Sequence, residues 1–309
     1  MTTAVLVSLL LPLAMPLLVS RAPRYLSPTA ALWALTGTAV VMAGGFLLSL
    51  GVLTLAGLLR LRFFAVLGEL VRPLHTLPDP LVPAASAGAA ALLTAAAWTT
   101  SRTALRRLRE VRAARAAVAG HPAAGDLHVI DSPYPDAYAL PGGSGRVVVT
   151  TAMIRCLDAA ERDVLLAHER AHLSGRHHYF LVAADLAAGC HPALRTARTA
   201  VRLAAERAAD EAAATAVGDR RLTARAIARA ALAAHDRAGR SGALPAATAG
   251  PVPQRVTALL SGPREGRRTL AVCAALLLAV CAGTSAAASA TGLAVLHRDV
   301  ETAQGETGS

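Results

Sequence analysis

A chain of 309 residues with 54% apolar, 17% charged and only 3% aromatic residues departs from soluble composition, in which about a quarter of residues are charged. Its net charge of +11 rests entirely on arginine, since no lysine occurs, and too few rings accompany it to stack on bases; direct nucleic-acid binding is not expected. The four cysteines (Cys156, Cys190, Cys273 and Cys281) show no CxxC spacing and read as small buried hydrophobes in a reducing compartment.

In chain order, four segments are apolar enough to be read as membrane spans, given the roughly 20 residues a helix needs to cross hydrocarbon. The first, residues 4–20, contains Pro12 and Pro16, and its arginines (Arg21 and Arg24) follow it rather than precede it. A secretory signal has the reverse polarity, so an uncleaved anchor with its N-terminus outside is expected. The second span falls within 30–59 and the third within 81–100. Arg102, Arg106, Arg107, Arg109, Arg112 and Arg115 follow directly. Arg264, Arg267 and Arg268 precede the fourth span, 269–296, and residues 297–309 form a short tail. The positive-inside bias therefore places 101–268 in the cytoplasm and the tail outside, with Arg60, Arg62 and Arg72 opposing the count. The expected architecture is a multi-span α-helical membrane protein, with a three-span domain over 1–100 and an inserted α+β domain over 101–268.

Inside that domain, Ser101 to Gly120 reads as a basic helical connector. Leu127 to Ile130 and Arg146 to Thr150 are β-prone runs separated by Pro133, Pro135, Pro141 and Gly142-Gly143, punctuation that suggests a hairpin. From Ala159 to about Arg237 the pattern is helical. Gly239 to Pro253 reads as a flexible loop, and Gln254 to Leu260 as a last short helix. The apolar run Phe180 to Cys190 suits either the membrane surface or a buried core helix.

The chemistry concentrates at His168-Glu169-Arg170-Ala171-His172. Two histidines four apart share one helix face and can chelate one zinc ion. Glu169 then stands beside the open coordination position as a general base. Two third ligands compete. His178 completes an extended H-E-x-x-H-x-x-G-x-x-H pattern, but the methionine turn that pattern needs is missing, because Met1, Met15, Met42 and Met153 all lie upstream. The other candidates are Glu206 and Asp210, four apart on an expected helix. One can reach the metal while the other orients a ligand histidine; alternatively, Glu206 pairs with Arg202 or Arg207 on a solvated face.

The stretches Ala137-Tyr-Ala-Leu-Pro-Gly-Gly, Arg146-Val-Val-Val-Thr-Thr, Glu161 to His172 and Glu206 to Asp210 resemble the gluzincin membrane peptidases. These are the HtpX-type family and, more closely, the BlaR/MecR-type family. The resemblance spans about 129–260 and implies a minimal gluzincin (zincin) domain binding one Zn2+ ion. It implies His168, His172 and Glu206 as ligands, Glu169 as catalytic base and Asp210 as the orienting carboxylate. His177 and His178 then match a histidine common after the motif in the HtpX-type branch. The penicillin-binding sensor domain of BlaR/MecR-type receptors has no counterpart in the few residues after the last span.

Three positions keep two readings. Tyr138 and Ala139 lie either on an edge strand along which substrate adds or on an ordinary turn-flanking strand. Arg255 either stabilises the oxyanion or faces phosphate or solvent near the membrane. His121, His128, His191 and His235 read as surface or loop residues, and His75 has no identifiable partner. The expected activity is zinc-dependent endopeptidase hydrolysis of a protein or peptide at the cell membrane. Membrane lipid and a cytoplasmic transcriptional repressor are the partners implied by resemblance; housekeeping proteolysis of the HtpX kind and a non-catalytic receptor or scaffold are the alternatives.

Overall fold

The computed structural model describes residues 2–21, 25–58, 81–120, 123–142, 145–239 and 251–262, together with 276, 278–281, 283–287, 290 and 294. The first apolar segment is broken into α1 (Thr2–Leu10), a 3-10 turn (Leu11–Ala14) and α2 (Met15–Arg21). Pro12 lies in that turn, where a missing amide hydrogen and a fixed φ interrupt regular helix. Helices α3 (Pro28–Leu58) and α4 (Leu81–Val118) are continuous and are the two helices long and apolar enough to cross a membrane among the described residues. Helix α4 fuses the expected third span and the basic connector into one rod. Most of the expected fourth span, the tail, and the loop carrying Arg60, Arg62, Arg72 and His75 lie outside the described residues. The described part of 278–287 packs inward: the Thr38 hydroxyl donates to the Leu278 carbonyl at 3.5 Å, and Ser8 to the Ser285 carbonyl at 3.3 Å.

Strands β1 (Ala123–Ala124), β2 (Leu127–Ile130), β3 (Ala137–Leu140) and β4 (Arg146–Thr150) form a mixed sheet in the order β1-β2-β4-β3. The two β-prone runs expected as a hairpin are instead parallel, Leu127 beside Val147 through Ile130 beside Thr150. A parallel pair needs a crossover, and the punctuated segment supplies one that carries the extra strand β3. The hairpin is β3–β4, turned at Gly142 (φ +105°) and Gly145 (φ +74°), where glycine is the residue that tolerates positive φ. Val147 and Val149 pack towards Met153, Leu157 and Leu165, whereas Val148 packs with Val118 and Leu140. Alternation along β4 therefore seats the sheet between two helical layers.

Helices α5 (Thr151–Cys156), α6 (Ala159–Ser174), α7 (His177–Cys190), α8 (Arg195–Val217), α9 (Arg220–Gly239) and α10 (Pro251–Ser261) complete the described chain, with a 3-10 turn at Pro192–Leu194. A capping box starts α6: Asp158 accepts from the Glu161 amide, and the Glu161 side chain accepts from the Asp158 amide. Glu161 is fully buried and is reached by Arg225 (3.2 Å) and Arg229 (2.8 Å) of α9, which ties α9 to the start of α6.

One apolar cluster crosses the expected boundary at residue 100. Leu32, Leu35, Ala39 and Met42 of α3 pack with Ala184 and Ala187 of α7 and Ala197, Val201 and Ala205 of α8. Small alanines let the helices approach closely. The run Phe180 to Cys190 is thus a core helix, with Phe180 edge-on to Trp33 at 4.7 Å. Its buried Asp185 is paired with Arg107 of α4 and with Arg202 of α8 (3.0 Å). Two smaller expectations fail. Cys156 is exposed, and His128 is buried on β2 because β2 lies inside the sheet.

Candidate active site

Helix α6 carries His168, Glu169 and His172 on a face turned to α8, and all three are largely buried. Nε2 of His172 faces Nε2 of His168 at 3.2 Å. From α8, Glu206 places one carboxylate oxygen 3.6 Å from Nε2 of His168 and the other 3.6 Å from Nε2 of His172. Metal bonds of about 2.0–2.2 Å at tetrahedral angles separate two ligand atoms by roughly 3.3–3.6 Å. With one donor atom from each residue the three lie within 4.8 Å of one another, close enough to gather on a single ion, and two imidazole nitrogens with one carboxylate suit zinc. His178 is not part of this donor group.

Side chains of α8 and α10 surround these donors. One turn beyond Glu206, Asp210 is buried and faces Nδ1 of His168 at 3.1 Å. Arg255, on α10, grips Asp210 through Nε (2.8 Å) and Nη2 (2.6 Å) and reaches Glu206 through Nη1 (2.8 Å). With an 11% exposed side chain it is not solvated, and its donors are committed to two carboxylates. The geometry thus departs from the solvent-facing reading of Arg255, because α10 folds back onto α8. Nor does Glu206 pair with Arg202, which goes to Asp185 instead.

Burial and charge shape the titration of these groups. Burial opposes a charge on His168, but Asp210, Glu206 and Glu169 outweigh it and raise its pKa to about 9. Burial lowers His172 to about 4. Glu169 is pushed up to about 6, chiefly by burial, helped by the charge of Glu206. Against burial, His168 and Arg255 lower Glu206 to about 2.

Strand β3 borders the site as the free edge of the sheet. The Thr150 amide donates to the Asp136 carbonyl at 3.0 Å, so in this register Tyr138 and Leu140 turn their main-chain groups to β4, and Ala137 and Ala139 turn theirs outward. The Ala139 amide is a donor to the Glu169 carboxylate. Tyr138 and Ala139 both lie on this edge strand, Ala139 with its main chain turned outward and Tyr138 with its main chain turned to β4. A cleft of about 320 Å³ lies on one side of Glu169, lined by β3, Leu173, His178 and Leu181. A second of about 180 Å³ lies on the other, lined by Met153, Leu165, Ile227 and the α9 alanines Ala226, Ala230 and Ala234.

From the sequence, His177 only matches a histidine common after the motif and carries no role. It is 5% exposed and its Nδ1 stands 3.0 Å from Nδ1 of His172. Five residues past His172 it lies off the helix face, and only the break at Gly175-Arg176 returns it.

A helix-borne histidine pair, a carboxylate donor from a second helix and a buried acid beside an open strand edge define the class of metallopeptidases. A sequence model of peptidase family M48 matches residues 101–275, more than half of the chain, and the chain belongs to that family. It is a metalloendopeptidase, and peptidases of this family are metal-dependent. No curated protein and no solved structure matches it.

Proposed function

We propose that this protein is a membrane-anchored, zinc-dependent endopeptidase in which His168, His172 and Glu206 hold one Zn2+ ion and Glu169 is the catalytic base. The observation that carries this reading is the convergence of His168 Nε2 and His172 Nε2, 3.2 Å apart, on the Glu206 carboxylate, whose two oxygens lie 3.6 Å from one histidine each, beside the buried Glu169. When bound, the zinc ion supplies an electrophile that polarises the scissile carbonyl and acidifies water. Glu169 takes a proton from the attacking water and passes it to the leaving amine. Asp210 fixes His168 in the tautomer that presents Nε2, and Arg255 neutralises the two buried acids. An extended substrate adds to β3 through the outward groups of Ala137 and Ala139.

The arginines in the second half of α4 and those just before residue 269 support a cytoplasmic catalytic face on a multi-pass membrane protein. The resemblance to BlaR/MecR-type peptidases supports a role in signalling, with a cytoplasmic transcriptional repressor as substrate. A winged-helix repressor encoded by the neighbouring reading frame, and its cleavage in the presence of this protein, would distinguish that role from HtpX-type housekeeping proteolysis. Metal analysis of purified wild type, His168→Ala, Glu206→Gln and Glu169→Gln tests the site. Zinc should fall in the first two variants and persist in the third, which should nonetheless lose peptide hydrolysis by 100-fold or more, in line with the roughly 10²–10⁴-fold worth of a positioned base. Undiminished zinc in both ligand variants would overturn the assignment.

A further inference from the structure

The two histidines of the motif are supported differently. Nδ1 of His168 faces the carboxylate of Asp210. Nδ1 of His172 faces no carboxylate in the described structure; it faces Nδ1 of His177 at 3.0 Å, with the rings edge-to-face at 4.9 Å and 89°. An imidazole that gives Nε2 to a metal keeps its proton on Nδ1 and needs an acceptor there to hold its tautomer and orientation. We propose that His177 is that acceptor, a positioning residue for His172, and that the turn Gly175-Arg176 exists to deliver it. The inference rests on the metal site proposed above.

The local chain is built for this contact. Helix α6 ends at Ser174 and α7 begins at His177, so two residues break the helix and redirect the chain. Arg176 takes the left-handed conformation (φ +50°), the sole non-glycine residue to do so among the described residues, and such backbone is costly unless the surroundings require it. Gly175 has an ordinary φ of −74°, so its backbone does not call for glycine. Space does: a Cβ there would stand 2.5 Å from Nε2 and 2.8 Å from Cδ2 of the His177 ring. The same contact puts the Nε2 of His177 over Gly175 and away from the three donors, so His177 supports the site without joining it. Gly175, which in the sequence looks like part of an extended three-histidine motif, is thereby explained by the neighbour of His178 and not by His178.

The test uses the full chain in detergent micelles, with zinc affinity measured by competition against a chromophoric chelator. Thermal unfolding of the zinc-free protein serves as the fold control. His177→Phe keeps a ring in the site but removes the acceptor, and it should weaken zinc binding by roughly 10- to 100-fold, the usual effect of losing an outer-shell partner. His177→Asn restores an acceptor and should return affinity to within a few-fold of wild type. Gly175→Ala should displace the ring and weaken zinc as His177→Phe does, while the double variant should be no worse than His177→Phe alone. Wild-type affinity in His177→Phe, with zinc lost in His168→Ala, overturns the inference and leaves the metal site standing. Equal zinc loss in the Phe and Asn variants, tracking a common drop in unfolding temperature, reduces His177 to packing and also overturns it. Zinc retained by His168→Ala overturns the site and the inference with it.

Discussion

Glu169 is a carboxylate in a place where carboxylates are uncomfortable, 8% exposed and beside the negative charge of Glu206. Both effects favour its protonated form and put its pKa at about 6 instead of the ordinary 4.5. A base works only when ionised, so kcat/KM for peptide hydrolysis should fall as pH drops through about 6. A bound divalent cation favours the ionised form and moves this limb down, so the limb should lie at or below that value. A pH–rate profile checks this; a limb well above pH 7 would point to another base. At this scale the sequence was informative where chemistry is local. His168, Glu169 and His172 are one turn of helix, and their mutual placement follows from helical periodicity. Arg255 and His177 were not readable, because one depends on how α10 folds back and the other on a two-residue helix break.

At the scale of elements, α6 is held at its first turn and β3 at one edge. Glu161 caps its own helix and is clamped by Arg225 and Arg229. Burial opposes its charge, but the two arginines and the Asp158 amide prevail and lower its pKa below the ordinary 4.5. The unfolded chain therefore binds this proton more readily than the folded one. The stabilisation is present above the unfolded pKa and is lost as pH falls through the folded value. Glu161→Gln should lower stability by about 1–2 kcal/mol near neutral pH, a discounted figure because both arginines are half-exposed. It should also flatten the fall of Tm below about pH 4.5, measured by calorimetry from pH 3 to 7. On β3, the Ala137 amide points away from β4, so Ala137→Pro breaks no ladder bond. Losing one main-chain hydrogen bond to substrate, about 1 kcal/mol, should reduce kcat/KM roughly fivefold through KM. Zinc content should not change; an unaltered KM would remove the edge-strand reading. The β-prone runs themselves were legible, but their pairing was not, since alternation fixes faces and says nothing about which strand lies beside which.

For the whole molecule, the consequential feature is the core shared by α3, α7 and α8. Ala205, fully buried in that core, precedes the proposed ligand Glu206 in sequence. The position of Glu206 is therefore tied to the packing of an apolar helix outside the family-matched region, which begins at residue 101. A protein comprising only residues 101–262 would expose Ala184, Ala187, Ala197 and Val201, which now face α3. It should aggregate or bind zinc at least tenfold more weakly than the full chain, as judged by size exclusion and chelator competition. A monodisperse fragment with full zinc affinity would show that the site needs no support from α3.

By itself, the sequence determined the helix that carries His168, Glu169 and His172, the apolar segments, and the spacing of Glu206 and Asp210 on one helix face. These follow from periodicity and side-chain chemistry, which act over a few residues. The missing methionine turn and the family resemblance already favoured Glu206 over His178; tertiary structure alone decided that Arg255 clamps both acids. It also decided that His177 backs His172, and that the apolar helices and the metal-site helices share one core. The reason is physical: each of these is a contact between segments whose approach depends on packing, and neither the strength nor the direction of that packing is written in local spacing.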